Sequence, residues 1–210
     1  MQEKVFPKMS VQIWLTSDNH FGHHNIYTFV YTDAYGVERR VRERFRDAVE
    51  GDAYMIQRWC ELVRPEDHIW HLGDVCMERS ANAKTWFVNK MRSLPGHKRL
   101  ILGNHDHLAM DVYRDAGFQK IRASNVIDGL LLTHYPVHPG SIGRAIGNCH
   151  GHTHQHPDEG PRYLNISVER TQYEPIPIET AKALLQAKIV AAGQSTESML
   201  DVSGTVMDGP

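Results

Sequence analysis

Cysteine is scarce in this chain of 210 residues, which contains only Cys60, Cys76 and Cys149. The three lie far apart in the sequence, and none belongs to a Cys-x-x-Cys pair. This odd, scattered set argues against a disulfide framework and is more consistent with a reducing cytosol. A structural zinc site built from thiolates is not expected, for the same reason.

Long apolar runs are also missing, because no stretch reaches the roughly 18 residues that a membrane-spanning helix requires. The opening MQEKVFPKMS is too polar for a signal peptide, so export is not expected. The formal net charge of −2 gives no overall attraction to nucleic acid or membrane. We therefore predict a cytoplasmic protein that does not bind a membrane.

The chain is long enough to bury a hydrophobic core, and its 41% apolar and 23% charged residues are typical of a globular protein. We predict a single domain over residues 1–193. Residues 194–210 are polar, small and without periodicity, and we expect them to form a flexible tail. The sequence leaves the oligomeric state open.

Five apolar runs with β-branched or aromatic residues predict strands, and helical patterns lie between them. The predicted strands cover residues 11–18, 68–74, 98–104, 126–134 and 162–169. Helices are predicted over residues 52–63, between a cap at Ser80 and Pro95, over residues 107–116, and over residues 178–193. Strands that alternate with helices indicate an α/β fold with a central sheet.

Histidine is frequent, with 14 residues, and four of them alternate in one short segment. In CHGHTHQH, residues 149–156, every second residue from His150 to His156 is a histidine. In an extended chain these side chains would share one face, about 6.6 Å apart. Such a face could bind metal, sense pH or be a solvated polar edge.

Potential metal ligands also stand at the ends of predicted strands. Four strands end in such a residue, namely Asp18, Asp74, Asn104 and His134. Sites in open α/β sheets form outside the carboxyl ends of the strands, so we expect these side chains to share one edge. Gly73 and Gly103 precede two of them and allow sharp turns and close approach of the backbone. His152 and His154 would extend the cluster.

Five short motifs make the chain similar to a known family. They are SDNHFGHHNI (17–26), LGDV (72–75), GNHD (103–106), THYP (133–136) and GHTH (151–154). In these motifs, over about residues 11–175, the chain resembles the calcineurin-like metallophosphoesterases. The resemblance implies an α/β fold with a two-sheet β-sandwich flanked by helices, in four layers. The motif set is most like that of the compact bacterial and phage phosphoesterases.

The resemblance also implies ligands for two metal ions. It gives Asp18, His20 and His154 to one ion, Asn104, His134 and His152 to the other, and Asp74 to both as a bridge. Two ions about 3.5–4 Å apart can clamp a phosphoryl group and generate a hydroxide at neutral pH. Imidazole and carboxylate ligands suit Mn, Fe, Co, Ni or Zn better than Mg or Ca. We therefore expect two divalent transition-metal ions as cofactors.

Four residues are candidates for substrate contact or for support of catalysis, and the resemblance itself implies the role of the first. His105, in GNHD, would stay off the metals and contact the phosphate or protonate the leaving oxygen. Asp106 could hold the His105 ring in one tautomer, or it could be a local helix cap. Asn104 would contact substrate as well as metal. His23, in FGHHN, would touch substrate if its loop folds over the site.

One departure from the family pattern bears on the substrate. The phosphoprotein phosphatase branch has GDxxDRG, whose arginine binds the phosphomonoester, whereas this chain has GDVCMERS, with Arg79 one residue late. We therefore expect hydrolysis of a nucleotide-type phosphodiester by a metal-activated hydroxide. The alternatives are a phosphomonoesterase acting on a nucleotide or phosphoprotein, and a silent module that binds metal or phosphate. The intact His105 and the complete ligand set argue against the silent module.

A basic segment, ERRVRERFR at residues 38–46, follows the first metal motif. Read as a strand, it places Arg40, Arg42, Arg44 and Arg46 on one face, and the Tyr-Gly turn before it predicts a hairpin. These arginines could bind a nucleotide or oligonucleotide, because guanidinium groups bind phosphate oxygens bidentately. The alternatives are a solvated hairpin face, or the start of a helix in which glutamates neutralise the arginines.

Overall fold

The computed structural model of the chain describes residues 10–77 and 82–193. The expected cap Ser80, the displaced Arg79 and the predicted tail at residues 194–210 lie outside the described residues. Within the described ranges, no helix is both long and apolar enough to cross a membrane.

Strands and helices alternate along much of the chain, as expected for an α/β fold. The strands are β1 (Ile13–Thr16), β2 (Val30–Thr32), β3 (Glu38–Arg40), β4 (His68–His71), β5 (His97–Ile101), β6 (Phe118–Arg122), β7 (Ser124–Ile127), β8 (Leu130–Thr133), β9 (Gly147–His150), β10 (Tyr163–Asn165) and β11 (Ile176–Pro177). The helices are α1 (Ala48–Leu62), α2 (Ala83–Ser93), α3 (Met110–Asp115) and α4 (Ile178–Ala191). All four predicted helices are confirmed.

Helix α1 illustrates how the local sequence sets these elements. The Asp47 side chain caps its first turn by accepting the N–H of Glu50 at 3.0 Å. Met55 and Trp59, four residues apart on one face, are buried in the core. The helix ends at Leu62, shortly before Pro65, whose ring disfavours helical backbone in the residue before it.

Two sheets form the body of the protein. The larger has the strand order β11-β1-β4-β5-β6, in which β1, β4, β5 and β6 are parallel and β11 is antiparallel to β1. The smaller has the order β10-β9-β8-β7, in which only the pairing of β7 with β8 is antiparallel. Strands β2 and β3 form a separate hairpin.

Alternating side chains of the larger sheet supply two hydrophobic cores. Ile69 and Leu100 belong to the core that also contains apolar residues of α1, α2 and α3. Their neighbours Trp70 and Ile101 point the other way, into the core shared with the smaller sheet. Helix α4 completes this second core with Leu185. The predicted two-sheet sandwich flanked by helices is confirmed.

The apolar run at residues 126–134, read as one strand, is a hairpin. Strands β7 and β8 pair antiparallel, and Asp128 and Gly129 between them have φ angles of 49° and 78°. An Asp-Gly pair with positive φ is typical of two-residue hairpin turns. The single-strand prediction is therefore wrong, although His134 still follows the second strand directly.

The segment CHGHTHQH is extended only over its first part. Strand β9 ends at His150, and His152 and His154 have φ angles of 68° and 48°. Backbone in this left-handed region does not place alternate side chains on one face. The four histidines therefore do not share one face.

Candidate metal centre

The predicted ligands meet at one edge of the sandwich, where parallel strands end. Asp18 follows β1, Asp74 follows β4, Asn104 follows β5, His134 follows β8, and His152 and His154 follow β9. A backbone bridge between Ser17 and Ser167 joins the ends of the two sheets at this edge. The topology therefore brings ligand positions from both sheets into one place, as the rule for carboxyl ends predicts.

One group of potential ligands consists of Asp18, His20 and His154, whose ligand atoms all lie within 4.8 Å of one another. Asp18 Oδ1 is 3.9 Å from His20 Nε2 and 4.0 Å from His154 Nε2. Asp18 and His20 are buried, whereas His154 is partly accessible. These separations leave room for an ion among the three side chains.

The second group consists of Asp74, His134 and His152, under the same limit of 4.8 Å. Asn104 adds a carbonyl oxygen, because its Oδ1 lies 2.8 Å from His134 Nε2. His134 Nδ1 lies 2.8 Å from the carbonyl oxygen of Leu72, so we assign the ring proton to Nδ1. That tautomer directs the lone pair of Nε2 towards Asp74 and Asn104.

Asp74 connects the two groups through one carboxylate oxygen. Its Oδ2 lies 3.5 Å from His20 Nε2 in the first group and 3.4 Å from His134 Nε2 in the second. Its Oδ1 accepts the backbone N–H of His105 at 2.8 Å. Asp74 thus has the position that a bridging ligand would need.

The backbone of the centre is strained at the ligand positions. Positive φ angles occur at Asp18, His20, Asp74, His152 and His154. Such angles are uncommon outside glycine and concentrate at functional sites. Close packing of the loops holds them: a Cβ at Gly103 would meet the Asp74 carboxylate, and one at Gly151 would meet the Asp18 carboxylate. Glycine is required at both places.

Burial and charge at His20 and Asp18 fit a cation in the first group. Burial lowers the pKa of His20 well below its usual value, and the nearby His154 and Arg42 lower it further. Burial raises the pKa of Asp18. Neither ring nitrogen of His20 has a hydrogen-bond partner among the described residues. A neutral buried imidazole that faces carboxylates suits a divalent transition metal, so the residues fit the predicted ion.

The other histidines divide into two kinds. Burial alone would lower the pKa of His134, but the nearby carboxylates of Asp74 and Asp18 outweigh it and raise that pKa. In the same way, Glu169 outweighs burial at His154 and raises its pKa. Burial lowers the pKa of His152. Metal ligation requires neutral imidazole, so protonation of His134 or His154 at low pH would compete with ion binding.

His105 and His23 border the centre rather than belong to either group. The ring centroid of His20 is 5.4 Å from that of His105 and 5.7 Å from that of His23. Both side chains line a cavity of about 450 Å³ that also reaches His152 and His154. Their roles towards a substrate stay predictions.

Asp106 does not hold the His105 ring. Its Oδ2 accepts the backbone N–H groups of Asp74 and Gly103, both at 2.8 Å, and its Oδ1 accepts that of Val75 at 3.1 Å. It is not a helix cap either, because α3 begins at Met110. Asp106 fixes the Asp74 loop against the GNHD loop, so both predicted roles are wrong.

The predicted arginine face is also wrong, although the hairpin is confirmed. Strand β3 ends at Arg40, and the chain turns over residues 41–47. Arg40 donates to the carbonyl oxygens of Tyr27 and Glu43, and the Arg44 guanidinium lies 4.2 Å from the centroid of the Tyr54 ring. Neither arginine lines the cavity beside the centre.

Arg42 lies inside the protein, where no substrate could reach it. It is fully buried, and it donates to the carbonyl oxygens of Asp18 at 2.7 Å and Asn19 at 3.0 Å. Its Nε donates to Glu169 Oε1 at 2.8 Å. Arg42 therefore supports the loop that carries Asp18, because the loop carbonyls take up its donors.

Glu169 is a supporting residue that the sequence reasoning missed. Its Oε2 lies 3.2 Å from His154 Nδ1, and the charge of Arg42 outweighs burial and keeps the pKa of Glu169 low, at about 2. The charge of an ionised carboxylate behind a ligand histidine raises the basicity of the ring. Ser167 donates to Asp18 Oδ2 at 3.0 Å. Both residues follow the end of β10, so a search for polar residues just beyond the carboxyl ends of strands would have found them.

The four alternating histidines have separate surroundings. His150 is buried, with Nε2 3.1 Å from Glu159 Oε2, and His156 is exposed. His152 and His154 contribute to different ligand groups. Metal binding is therefore supported for two of the four.

Comparison with known proteins defines the class to which this site belongs. The chain matches the family model "Calcineurin-like phosphoesterase" over residues 11–195. It therefore belongs to the calcineurin-like phosphoesterase family, as the motifs predict.

Individual relatives add little about activity. The chain is 25% identical to an uncharacterised protein of Methanocaldococcus jannaschii over 91% of this chain and 98% of that protein. It is 33% identical to the gene 66 protein of Mycobacterium phage D29 over 55% of this chain, and the match spans only 50% of the phage protein. A protein of unknown function from Aquifex aeolicus has a similar structure, with a TM-score of 0.61, 25% identity, and coverage of 83% of this chain and 100% of that one.

Proposed function

We propose that the protein is a phosphodiesterase that depends on two divalent transition-metal ions. The observation that carries the proposal is the position of Asp74 Oδ2, within 3.5 Å of a histidine nitrogen from each ligand group. A carboxylate between two such groups is the arrangement of enzymes that use two metals on phosphoesters. Membership of the family supports the same chemistry.

The ligands would divide between the two ions as the resemblance implies. Asp18, His20 and His154 would hold one ion, and Asn104, His134 and His152 the other, with Asp74 shared. When bound, the ions would stabilise charge on the phosphoryl oxygens and lower the pKa of water. Mixed nitrogen and oxygen ligands favour Mn, Fe, Co, Ni or Zn.

His105 would donate a proton to the leaving oxygen. Its backbone N–H is anchored to Asp74 Oδ1, and its ring lines the cavity beside His20. The imidazole therefore stands next to the candidate metal centre without belonging to either ligand group. A positioned general acid of this kind accelerates reactions with poor leaving groups by about 10²–10⁴-fold.

The lining of the cavity favours a diester over a monoester. Among the described residues, no lysine or arginine lines it. A phosphomonoester carries more negative charge than a diester near neutral pH, and an additional arginine is the usual way to bind it. Arg42 does not serve this purpose, because it is buried against Glu169.

A reconstitution experiment tests the proposal. Protein stripped of metal would be supplied with Mn²⁺, Fe²⁺, Co²⁺, Ni²⁺ or Zn²⁺ and assayed on bis(p-nitrophenyl) phosphate and p-nitrophenyl phosphate. We expect hydrolysis that requires two metal equivalents and a higher kcat/KM for the diester. Preference for the monoester would contradict the assigned substrate class, and activity without metal would contradict the mechanism.

A further inference from the structure

One half of the cavity beside the metal centre is lined by histidines of the centre, and the proposed chemistry does not use the other half. The whole cavity measures about 450 Å³, within the range of roughly 300–1,000 Å³ for small-ligand sites. Its other lining residues include Phe29 and Tyr31, at the hairpin of β2 and β3. Ring contacts connect the halves: His20 to His23 and His23 to Phe29 each have centroids 5.7 Å apart.

This wall of the cavity is apolar, accessible and firmly held. Phe29 is 50% exposed and Val30 is 58% exposed. The hairpin is fastened by the bond from the Val41 N–H to the Phe29 carbonyl oxygen, 2.9 Å long, and by Arg40, which reaches the carbonyl oxygen of Tyr27. Exposed apolar surface beside a polar site marks a ligand-binding surface, and aromatic side chains there favour a flat ring.

Gln155 supplies an independent sign of a ligand. It lines the same cavity, and its Oε1 is buried without a hydrogen-bond partner among the described residues. An unpaired buried amide oxygen is costly, so rotation of the amide into the cavity, towards a donor on a bound molecule, would stabilise it. Glutamine amides pair with the edges of nucleobases, which offer both N–H donors and nitrogen or carbonyl acceptors.

We propose that this half of the cavity binds the base of a nucleotide ester, stacked against Phe29 and Tyr31 with the Gln155 amide on its edge. The inference rests on the proposed phosphodiesterase function and names its substrate class. Because no lysine or arginine lines the cavity within the described residues, the site suits one base and one phosphate. A longer oligonucleotide would need cationic groups along its backbone.

Two esters with the same leaving group isolate the base. The p-nitrophenyl ester of thymidine 5′-phosphate and methyl p-nitrophenyl phosphate differ only in the group that stays on phosphorus. We expect wild-type protein to prefer the thymidine ester. Phe29→Ala is expected to lower the ratio of the two kcat/KM values by about 5- to 150-fold, the range for loss of one base–aromatic stack. Gln155→Leu is expected to lower the ratio less, and Phe29→Trp to preserve it.

Tyr35→Ala is the matched control, because Tyr35 stands at the tip of the same hairpin, is 90% exposed and does not line the cavity. It is expected to leave the ratio unchanged. A wild-type ratio near one, or an equal loss on both esters in Phe29→Ala, would overturn the base site.

The proposed function and the base site can fail separately. If neither ester is hydrolysed with any metal, the phosphodiesterase proposal fails. Calorimetric binding of thymidine 5′-monophosphate to the metal-loaded protein then decides the base site. The base site is supported if thymidine 5′-monophosphate binds more tightly than methyl phosphate and if Phe29→Ala weakens that binding. Equal affinity for both phosphates would overturn it.

Discussion

Two aspartates at opposite ends of β4 serve opposite purposes. Asp67 precedes the strand and Asp74 follows it by three residues. The Asp67 carboxylate accepts bonds from the backbone of Gln12 and Arg64, the Trp14 indole and the Arg64 guanidinium, over 2.7–3.2 Å. Asp74 instead directs one oxygen at two imidazoles. The negative charge of Asp67 is thus neutralised by hydrogen bonds within the protein, whereas that of Asp74 is available to bind metal ions.

The two aspartates also differ in their electrostatics and in their backbone geometry. Burial would raise the pKa of Asp67, but the bonds from Arg64, Gln12 and Trp14 outweigh it and hold the pKa below its usual range. Asp74 lies at a φ of 58°, next to other ligands with positive φ. Backbone strain of this kind is destabilising and persists where function requires it. The comparison predicts that changes at one end affect stability, and those at the other affect metal binding.

Asp74→Asn is expected to have the largest effect. Asparagine keeps an acceptor for the His105 N–H but replaces the shared oxygen with an amide, which binds both ions poorly. Activity should be almost abolished, together with loss of at least one metal equivalent by elemental analysis. Asp67→Asn, at the other end of the strand, is the matched control and should retain both metals. An active Asp74→Asn protein with two bound metals would contradict the bridge.

His105→Ala is expected to separate chemistry from metal binding. Both metals should remain bound, since His105 belongs to neither ligand group, while turnover falls by about 10²–10⁴-fold. The loss should be larger for an alkyl diester than for a nitrophenyl diester, because nitrophenolate leaves without a proton. Exposed His107, two residues away, provides the control His107→Ala. Equal losses on both diesters would point to charge stabilisation instead of proton donation.

Glu169→Gln is expected to have an intermediate effect confined to one ion. The loss of charge behind His154 should weaken the ion held with Asp18 by about 10- to 100-fold, and leave the other unchanged. Chelator competition, read by elemental analysis, measures the two affinities. Glu174→Gln is the control, since Glu174 pairs with Arg58 at a partly exposed site away from the ligands. Unchanged affinity for both ions would show that Glu169 has only a structural role.

Asp67→Asn is expected to have the smallest effect on activity and a clear one on stability. The donors left unpaired at Trp14 and Arg64 should lower the free energy of unfolding by about 1–3 kcal/mol. Each kcal/mol should lower Tm by about 2–4 °C. The pKa of Asp67 in the folded protein is below its value of about 3.9 in the unfolded chain. The ionised carboxylate therefore contributes its full stabilisation above about pH 3.9, and this stabilisation is lost as the pH falls through the folded pKa. The Tm difference should therefore shrink below about pH 4. A constant difference would exclude the ionised carboxylate as its cause.

Local sequence predicted the elements and most of the ligand positions. Apolar periodicity located the helices, and ligand-type residues at strand ends located Asp18, Asp74, Asn104 and His134. Periodicity failed in two places for a local reason: the Asp128–Gly129 turn splits an apolar run, and positive φ angles at His152 and His154 break the alternation. Turn chemistry and backbone strain are not visible in a pattern of apolar residues alone.

Long-range partners were beyond the sequence. Arg42 and Glu169 are 127 positions apart, and no periodicity relates them. Arg42 looked like one of a row of exposed guanidiniums because its neighbours are charged. The tertiary structure buried it, since the carbonyl oxygens of Asp18 and Asn19 and the carboxylate of Glu169 together satisfy its donors.

By itself, the sequence determined the family and the types of ligand residue, because motif spacing and strand periodicity are local properties of the chain. Only the tertiary structure decided that Asp74 Oδ2 lies between His20 and His134, that Asp106 secures a loop, and that Arg42 lies beneath Asp18. These distances depend on how two sheets align at their carboxyl edges. That alignment results from the packing of side chains distant in sequence, which no single segment encodes.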